Sequence, residues 1–485
     1  MTLYDLLNGV AYETIAGSDI SVTHITIDSR TVSAQSLFMC IRGLHSDGHD
    51  YIDSAIESGA TSIVCEQLPV QMPTHVTFIK VSDSRQALAR IAANFYGMPA
   101  NELTMLGVTG TNGKTSITYF TESVLRHWGR RTGVIGTSGA RIADEALAIP
   151  YATATTPDTI ELHHILQVMR DGGADSVVME VTSHALALQK AVGIPFQIGM
   201  FINLTQDHLD FHGTMDDYLA EKAKLFQMCE TGVFNADDAY AARIMQAATC
   251  RCVTFGIDSN CDYKAENVAL SHAGVQYDVC IKGEMIHITA PVPGRFTVYN
   301  TLCTVAAMAE LGAPAEAILA GIAAVTVPGR IQSVPNDKGL GVIVDYSHTP
   351  DGVSNIITAV RGFTTGKVIT VLGCGGDRDK TKRPIMGEIA GQLSDYVFLT
   401  SDNPRSEHPE AILADMEPGI AKTSCPYEKE PDRRKAIHDA IRRARPGDNI
   451  ILAGKGSEDY QEFENKRREP FDDIKVAAAA LEAIK

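Results

Sequence analysis

The chain has 485 residues, too many for one compact core, and at roughly 150 residues per domain that length implies about three. Hydrophobic residues make up 45% and charged residues 21%, the balance of an ordinary globular protein. The net charge of −17 argues against a nucleic-acid binder, which needs a cationic surface, but leaves room for a small anionic ligand held by a few basic residues in one cleft.

The opening residues, Met1-Thr2-Leu3-Tyr4-Asp5, lack the basic-then-apolar pattern of a signal peptide, and no apolar run is long enough to span a bilayer. The ten cysteines form no framework, and the closest pair, Cys250 and Cys252, is too tight for a metal knuckle. Reduced thiols in a cytoplasmic protein are therefore expected, with no membrane insertion.

Along the chain, short apolar runs alternate with longer amphipathic stretches, which predicts α/β domains on mostly parallel sheets. Pro and Gly mark two boundaries, near Gly97-Met98-Pro99 and near Val327-Pro328-Gly329-Arg330, dividing the chain into 1–98, 99–328 and 329–485. Five apolar runs end in polar bursts: those before Glu180, Asn203, Gly373, Thr400 and Ala453. Open α/β sheets bind ligands outside the carboxyl ends of their strands, so these junctions are candidate site residues.

The sharpest motif is Gly107-Val108-Thr109-Gly110-Thr111-Asn112-Gly113-Lys114-Thr115-Ser116, placed between a strand and a helix predicted to end near Trp128. Its glycines let backbone amides turn toward a polyphosphate, with the helix N-terminus behind them. Lys114 would reach the outer phosphates and the Thr115 hydroxyl would bind Mg²⁺, although Val108 stands where a strict Walker motif has Gly. Glu180 and His208, on what read as neighbouring strands, can hold Mg²⁺ against a phosphate. Asp207, Asp210 and His212 crowd the same loop. Tyr218, Lys222 and Phe226 share a helical face, and Lys222 read by itself is a surface lysine that snorkels.

Together with Asp345-Tyr346-Ser347-His348-Thr349-Pro350-Asp351, Gly375-Gly376-Asp377-Arg378-Asp379-Lys380 and Gly454-Lys455-Gly456, these motifs resemble the Mur ligases of bacterial cell-wall synthesis along nearly the whole chain. Within that family the chain is most similar to the members that add the third peptide residue. The resemblance implies an N-terminal UDP-sugar domain, a central ATP-binding domain on a P-loop-type parallel sheet, and a Rossmann-like C-terminal domain carrying the amino acid. It implies that ATP phosphorylates the D-glutamate side-chain carboxylate of UDP-N-acetylmuramoyl-L-alanyl-D-glutamate. The amine of meso-2,6-diaminopimelate then attacks the acyl phosphate, and phosphate leaves.

The site residues follow from the same resemblance. Gly110 to Ser116, Asn300 and Arg330 touch ATP. Thr115, Glu180, His208 and a CO₂-carbamylated Lys222 serve Mg²⁺. Ile27, Ser29, Leu44, His45, Ser46, Thr155, Thr156, Thr182 and Lys190 hold the UDP-sugar peptide. Arg378, Asp402, Asn403, Pro404, Arg405, Gly454 and Glu458 hold the diaminopimelate, with Arg405 gripping its distal carboxylate through two parallel hydrogen bonds. Lys190 replaces a family arginine, Ser457 a histidine, Thr297 an asparagine, Ser347 an alanine and Gln332 a glutamate. A lysine-adding relative, a folylpolyglutamate synthetase and an ATP-driven switch are the rivals. Arg405 disfavours the first, the N-terminal Asp28-Ser29-Arg30 segment the second, and the residues after the C-terminal strands the third. A monomer with small-molecule partners is expected.

Overall fold

A computed structural model describes residues 1–484 except 44, 45, 150–152, 154, 272, 273 and 326. Among the described residues, the five apolar runs singled out above are all parallel strands, and their polar ends lie at carboxyl termini. Such strands read as continuous apolar runs because helices cover both faces of the sheet.

Among the described residues the N-terminal sheet has five strands, between residues 12 and 81, with apolar clusters on its two faces. The turn after its last helix uses left-handed Gly97 and Met98 before Pro99. Among the described residues the central sheet has nine strands, of which six matter here: β1 (Thr104–Thr109), β2 (Thr132–Gly136), β3 (Ser176–Glu180), β4 (Phe196–Phe201), β5 (Cys229–Asn235) and β6 (Arg251–Gly256). These six are parallel, in the spatial order β6-β5-β4-β1-β3-β2. Leu106 and Val108 of β1 pack with the helix Lys114–His127, while Met105 packs with the helix Thr159–Asp171, the alternation a strand requires. The chain reverses its winding between β1 and β4, and that switch point opens the crevice where α/β sheets take ligands.

This order corrects one expectation. Glu180 ends β3 and His208 follows β4, but those strands are not neighbours: β1 lies between them. The phosphate loop at the end of β1 is therefore flanked by the two, one on each side.

The C-terminal sheet is parallel over β7 (Gly341–Asp345), β8 (Val368–Cys374), β9 (Tyr396–Ser401), β10 (Tyr427–Glu430) and β11 (Asn449–Ala453), in the order β7-β11-β8-β9-β10. Helices on both faces complete three layers. The carboxyl ends of the central and C-terminal sheets meet. Asn112 Nδ2 donates to Asp351 Oδ2 at 3.0 Å, Thr349 Oγ1 donates to Asn112 Oδ1 at 3.2 Å, and Lys382 Nζ donates to Asp207 Oδ1 at 3.0 Å.

Candidate active site

The loop after β1 turns sharply at Gly113, whose φ of +90° suits glycine and where a Cβ would come within 2.6 Å of Asn300 Oδ1. The amides of Thr111 and Asn112 donate to Asn203 Oδ1 at 3.0 and 2.9 Å, and Asn203 Nδ2 returns a bond to the Asn112 carbonyl at 3.2 Å. Lys114 Nζ donates to the carbonyls of Gly110 and Thr111, both at 2.9 Å. Burial lowers the Lys114 pKa, opposed by Glu180 and Asp207. Asn203, after β4, stands at one of the strand-end junctions singled out in the sequence, where no particular contact was assigned to it.

Glu180, 1% exposed, accepts from Thr115 Oγ1 at 2.9 Å, from the Thr137 amide at 3.0 Å and from the Thr137 hydroxyl at 3.1 Å. A hydroxyl and a carboxylate so joined are hard oxygen donors, and Mg²⁺ is usually held by one or two such protein groups plus substrate phosphates. Among the described residues no three His, Cys, Asp or Glu side chains converge as a ready metal cluster. Burial pushes His208 down to about 3, leaving a neutral imidazole able to ligate. His208 stands edge-on to His184, whose pKa burial also lowers, and Asp207 is held well below the carboxylate range, Lys382, His208 and His348 outweighing the cost of its burial.

Lys222 is not a surface lysine, which overturns the reading of that residue by itself. It is 1% exposed, because its helix, Met215–Ala223, turns this face toward the phosphate loop. Its Nζ donates to the Gly110 carbonyl at 2.9 Å and lies 4.6 Å from the Tyr218 ring centroid. Burial, reinforced by the nearby Lys114, drives its pKa well below that of an ordinary lysine, so the amine is readily neutral.

The expected sugar-peptide residues fall in two places. Thr155, Thr156 and Thr182 gather at the end of β3: Thr137 and Thr155 hydroxyls lie 3.1 Å apart, Thr156 Oγ1 donates to the Glu180 carbonyl at 2.9 Å, and Thr156 and Thr182 hydroxyls lie 3.1 Å apart. Lys190 is buried and pairs with Asp158 at 2.5 Å. Ile27 and Ser46 are exposed and Ser29 is half-buried in the N-terminal domain, while Leu44 and His45 lie outside the described residues. Arg85 bridges the two places, donating to the carbonyls of Arg42 at 2.7 Å and Leu188 at 3.4 Å.

Asn300 and Arg330 line a seam of about 80 Å³ between the sheets, together with Gly113, Asp345, Asp351 and Asn355. Arg330 lies over the Tyr346 ring, 4.6 Å from its centroid.

The residues expected to hold the amino acid assemble beyond β8, β9 and β11. Asp402 is buried, and its Oδ2 has no partner among the described residues. Asn403 donates to Glu458 Oε2 at 2.8 Å and accepts from Lys455 Nζ at 3.0 Å, and Lys455 also pairs with Glu458 at 3.0 Å. Pro404 leads into Arg405, left-handed at φ 50°, whose Nη1 donates to the Gly376 carbonyl at 2.8 Å and whose Nε meets Glu462 Oε1 at 3.3 Å. Arg378 is exposed, and a Cβ at Gly375 would sit 2.9 Å from Arg405 Nη1 and 3.8 Å from Arg378 Cγ, so the two cationic side chains flank one backbone position. Gly454, at φ +124°, packs against Asp402 so closely that a Cβ would strike its Oδ2.

Three family models match the chain: the Mur ligase family catalytic domain over residues 21–96, the Mur ligase middle domain over 108–308 and the Mur ligase glutamate ligase domain over 329–456. The UDP-N-acetylmuramoyl-L-alanyl-D-glutamate--2,6-diaminopimelate ligase 1 of Clostridium acetobutylicum is 42% identical over 488 residues, covering 100% of both chains. The enzyme of the same name, without the numeral, from Caldanaerobacter subterraneus subsp. tengcongensis is 41% identical over 99% of each chain. A solved structure of a UDP-N-acetylmuramoyl-L-alanyl-D-glutamate--2,6-diaminopimelate ligase superposes with a TM-score of 0.68 at 30% identity, covering 95% of each chain.

Proposed function

The chain belongs to the Mur ligase family, and on that premise we propose that it joins meso-2,6-diaminopimelate to the D-glutamate side-chain carboxylate of UDP-N-acetylmuramoyl-L-alanyl-D-glutamate at the expense of ATP. The observation that carries the reading is the apposition of two strand-end sites. The phosphate loop and the amino-acid cluster face each other across the Asn112–Asp351 and Asp207–Lys382 contacts. A ligase needs an activated carboxylate and an amine in one enclosure, and opposed carboxyl ends supply it. Similarity over the whole chain, N-terminal domain included, favours this reading over the folate-type ligase, and Arg405 favours it over a lysine-adding relative.

In this reading 1–98 is the UDP-sugar domain, 99–328 the ATP-binding domain and 329–485 the amino-acid domain. Lys114 and the amides of the phosphate loop hold the polyphosphate, and Asn300 and Arg330 border the nucleotide seam. Attack of the glutamate carboxylate on the γ-phosphorus breaks the bond to the bridging oxygen and releases ADP. The acyl phosphate has phosphate as its leaving group, where the free carboxylate would have to expel oxide. The amine then adds to the carbonyl carbon, loses a proton, and phosphate departs. Mg²⁺, when bound, neutralises charge on the transferring phosphoryl group. Thr115, Glu180 and His208 are the groups suited to hold it, joined by Lys222 as its carbamate. Asp402 and Glu458 suit ammonium groups, and Arg405 with Arg378 suits a carboxylate. We assign the protein to the cytoplasm as a monomer.

The test is phosphate release by the purified protein with Mg-ATP and the UDP-sugar dipeptide, with meso-diaminopimelate or L-lysine added. Release with diaminopimelate alone is the expected result. Release with lysine would keep the ligase and overturn the role of Arg405, and release with neither would overturn the ligase.

A further inference from the structure

Behind the amino-acid cluster lies a group that the reaction as described does not use. Arg433 opens the helix Arg433–Arg443, and Asp473 opens the helix Asp473–Ala483. Both side chains are fully enclosed, and they pair bidentately, Nε to Oδ1 at 2.8 Å and Nη2 to Oδ2 at 2.6 Å. The guanidinium also donates to two strand-end carbonyls, Ala453 at 3.1 Å and Ser401 at 3.5 Å. Ser401 ends β9 and Ala453 ends β11, and the next residues in the chain are Asp402 and Gly454. One planar cation therefore ties together the two strand ends from which the amino-acid pocket is built.

We propose that Arg433, oriented by Asp473, is a positioning residue for the amine substrate: it fixes the spacing of Asp402 against Gly454 by holding the two strand ends that carry them. This rests on the amino-acid reading of that cluster and goes beyond it, because Arg433 reaches the substrate only through other residues.

Three observations support the role. The carboxylate of Asp402 packs directly on Gly454, where even a methyl group would collide, so a small shift of either strand end displaces the other. Asp402 keeps one oxygen unpartnered among the described residues, an acceptor suited to an ammonium donor. Burial raises the Asp402 pKa, but the cations Lys455 and then Arg433 outweigh that and hold the group ionised. Only arginine can serve here. Its fork meets the Asp473 carboxylate on one edge and the strand-end carbonyls with its remaining donors, a geometry a lysine ammonium cannot reproduce.

A buried ion pair that merely staples a fold is replaceable, since apolar residues of similar volume are often neutral or stabilising in its place, whereas removing one partner leaves an uncompensated charge. The decisive protein is thus the double variant R433M/D473L in the full chain, compared with R433K and the wild type. Phosphate release is followed with the amine, ATP and the UDP-sugar dipeptide varied in turn, and each protein is melted. The expected result is an amine KM raised about tenfold or more in the double variant, from loss of charge-assisted bonds. KM for ATP and for the dipeptide stays unchanged, the melting temperature stays near wild type, and R433K falls between. An unchanged amine KM in a double variant that melts like the wild type overturns the proposal. If the double variant does not fold, R433K decides: a raised amine KM at unchanged ATP KM supports the proposal, and no change overturns it. The wild-type protein reads the underlying assignment separately. Turnover with L-lysine alone overturns diaminopimelate as substrate while the variants are still compared on lysine, and turnover with neither amine removes both.

Discussion

Replacing Lys382 by methionine removes the ion pair among the contacts that join the central and C-terminal parts. Lys382 opens the helix Lys382–Leu393 of the C-terminal part and Asp207 lies in the loop after β4; they pair at 3.0 Å, with side chains 6% and 4% exposed. Methionine keeps much of the volume but leaves the Asp207 carboxylate enclosed without its cation. Breaking a buried pair in this way costs about 3–5 kcal/mol. Because the pair spans the seam, the cost falls on docking more than on the folding of either domain. At about 1.4 kcal/mol per factor of ten, the docked form loses roughly a hundredfold to a few thousandfold in relative population. Small-angle scattering of the variant should show an expanded particle, and kcat for phosphate release should fall by about the same factor as the docked population. Adding Asp207→Asn should restore compactness in part, since the uncompensated charge is then gone. A Lys382→Met protein as compact and as active as the wild type would refute the reasoning.

Arg405→Ala should raise the diaminopimelate KM by about a hundredfold, the worth of a lost charge-assisted bidentate contact, while leaving the ATP KM alone, and steady-state phosphate release checks both. Lys222→Ala should abolish ligation, and high bicarbonate should not restore it; full activity would sink the carbamate. Asn203→Ala frees the amides of Thr111 and Asn112 and should weaken nucleotide binding by about tenfold in calorimetry, because the loop loses its shape. Glu407, gripped first by Arg383 and then by Lys380, is held down to about 2 against 4.5. Its folded pKa is depressed, so its contribution to stability is complete above about pH 4.5 and disappears as pH falls through about 2. Glu407→Gln should lose that contribution at neutral pH and flatten the acid-unfolding curve within that window, which denaturation at stepped pH would reveal.

What the sequence disclosed was local. Gly113-Lys114-Thr115 between an apolar run and an amphipathic one reads as strand, loop and helix, and the polar bursts after apolar runs mark strand ends, because each signal lies within a few adjacent residues. Lys222 was misread by itself because its burial depends on Gly110 and Tyr218, and helical periodicity cannot say which face meets a distant loop. The neighbour relation of β3 and β4 failed for the same reason, since strand order is not written in any one segment. Lys382, 175 residues from its partner Asp207, and Arg433 and Asp473, 40 apart, carry no motif at all. Each looks like one more surface charge until the fold encloses it. The amino-acid cluster was legible as residue types but not as a network: Glu458 and Arg405 already have Lys455 and Glu462 as counterions.

The phosphate loop spends part of its hydrogen-bonding capacity on the protein's own groups: the lysine on two carbonyls, and the Asn112 side chain on Thr349 and Asp351. The seam beside it measures about 80 Å³, well under the roughly 300 Å³ at which small-molecule pockets begin. A triphosphate that takes up Lys114 therefore does so in exchange for these internal bonds. The apparent affinity for ATP is then the net of the bonds gained over the bonds given up.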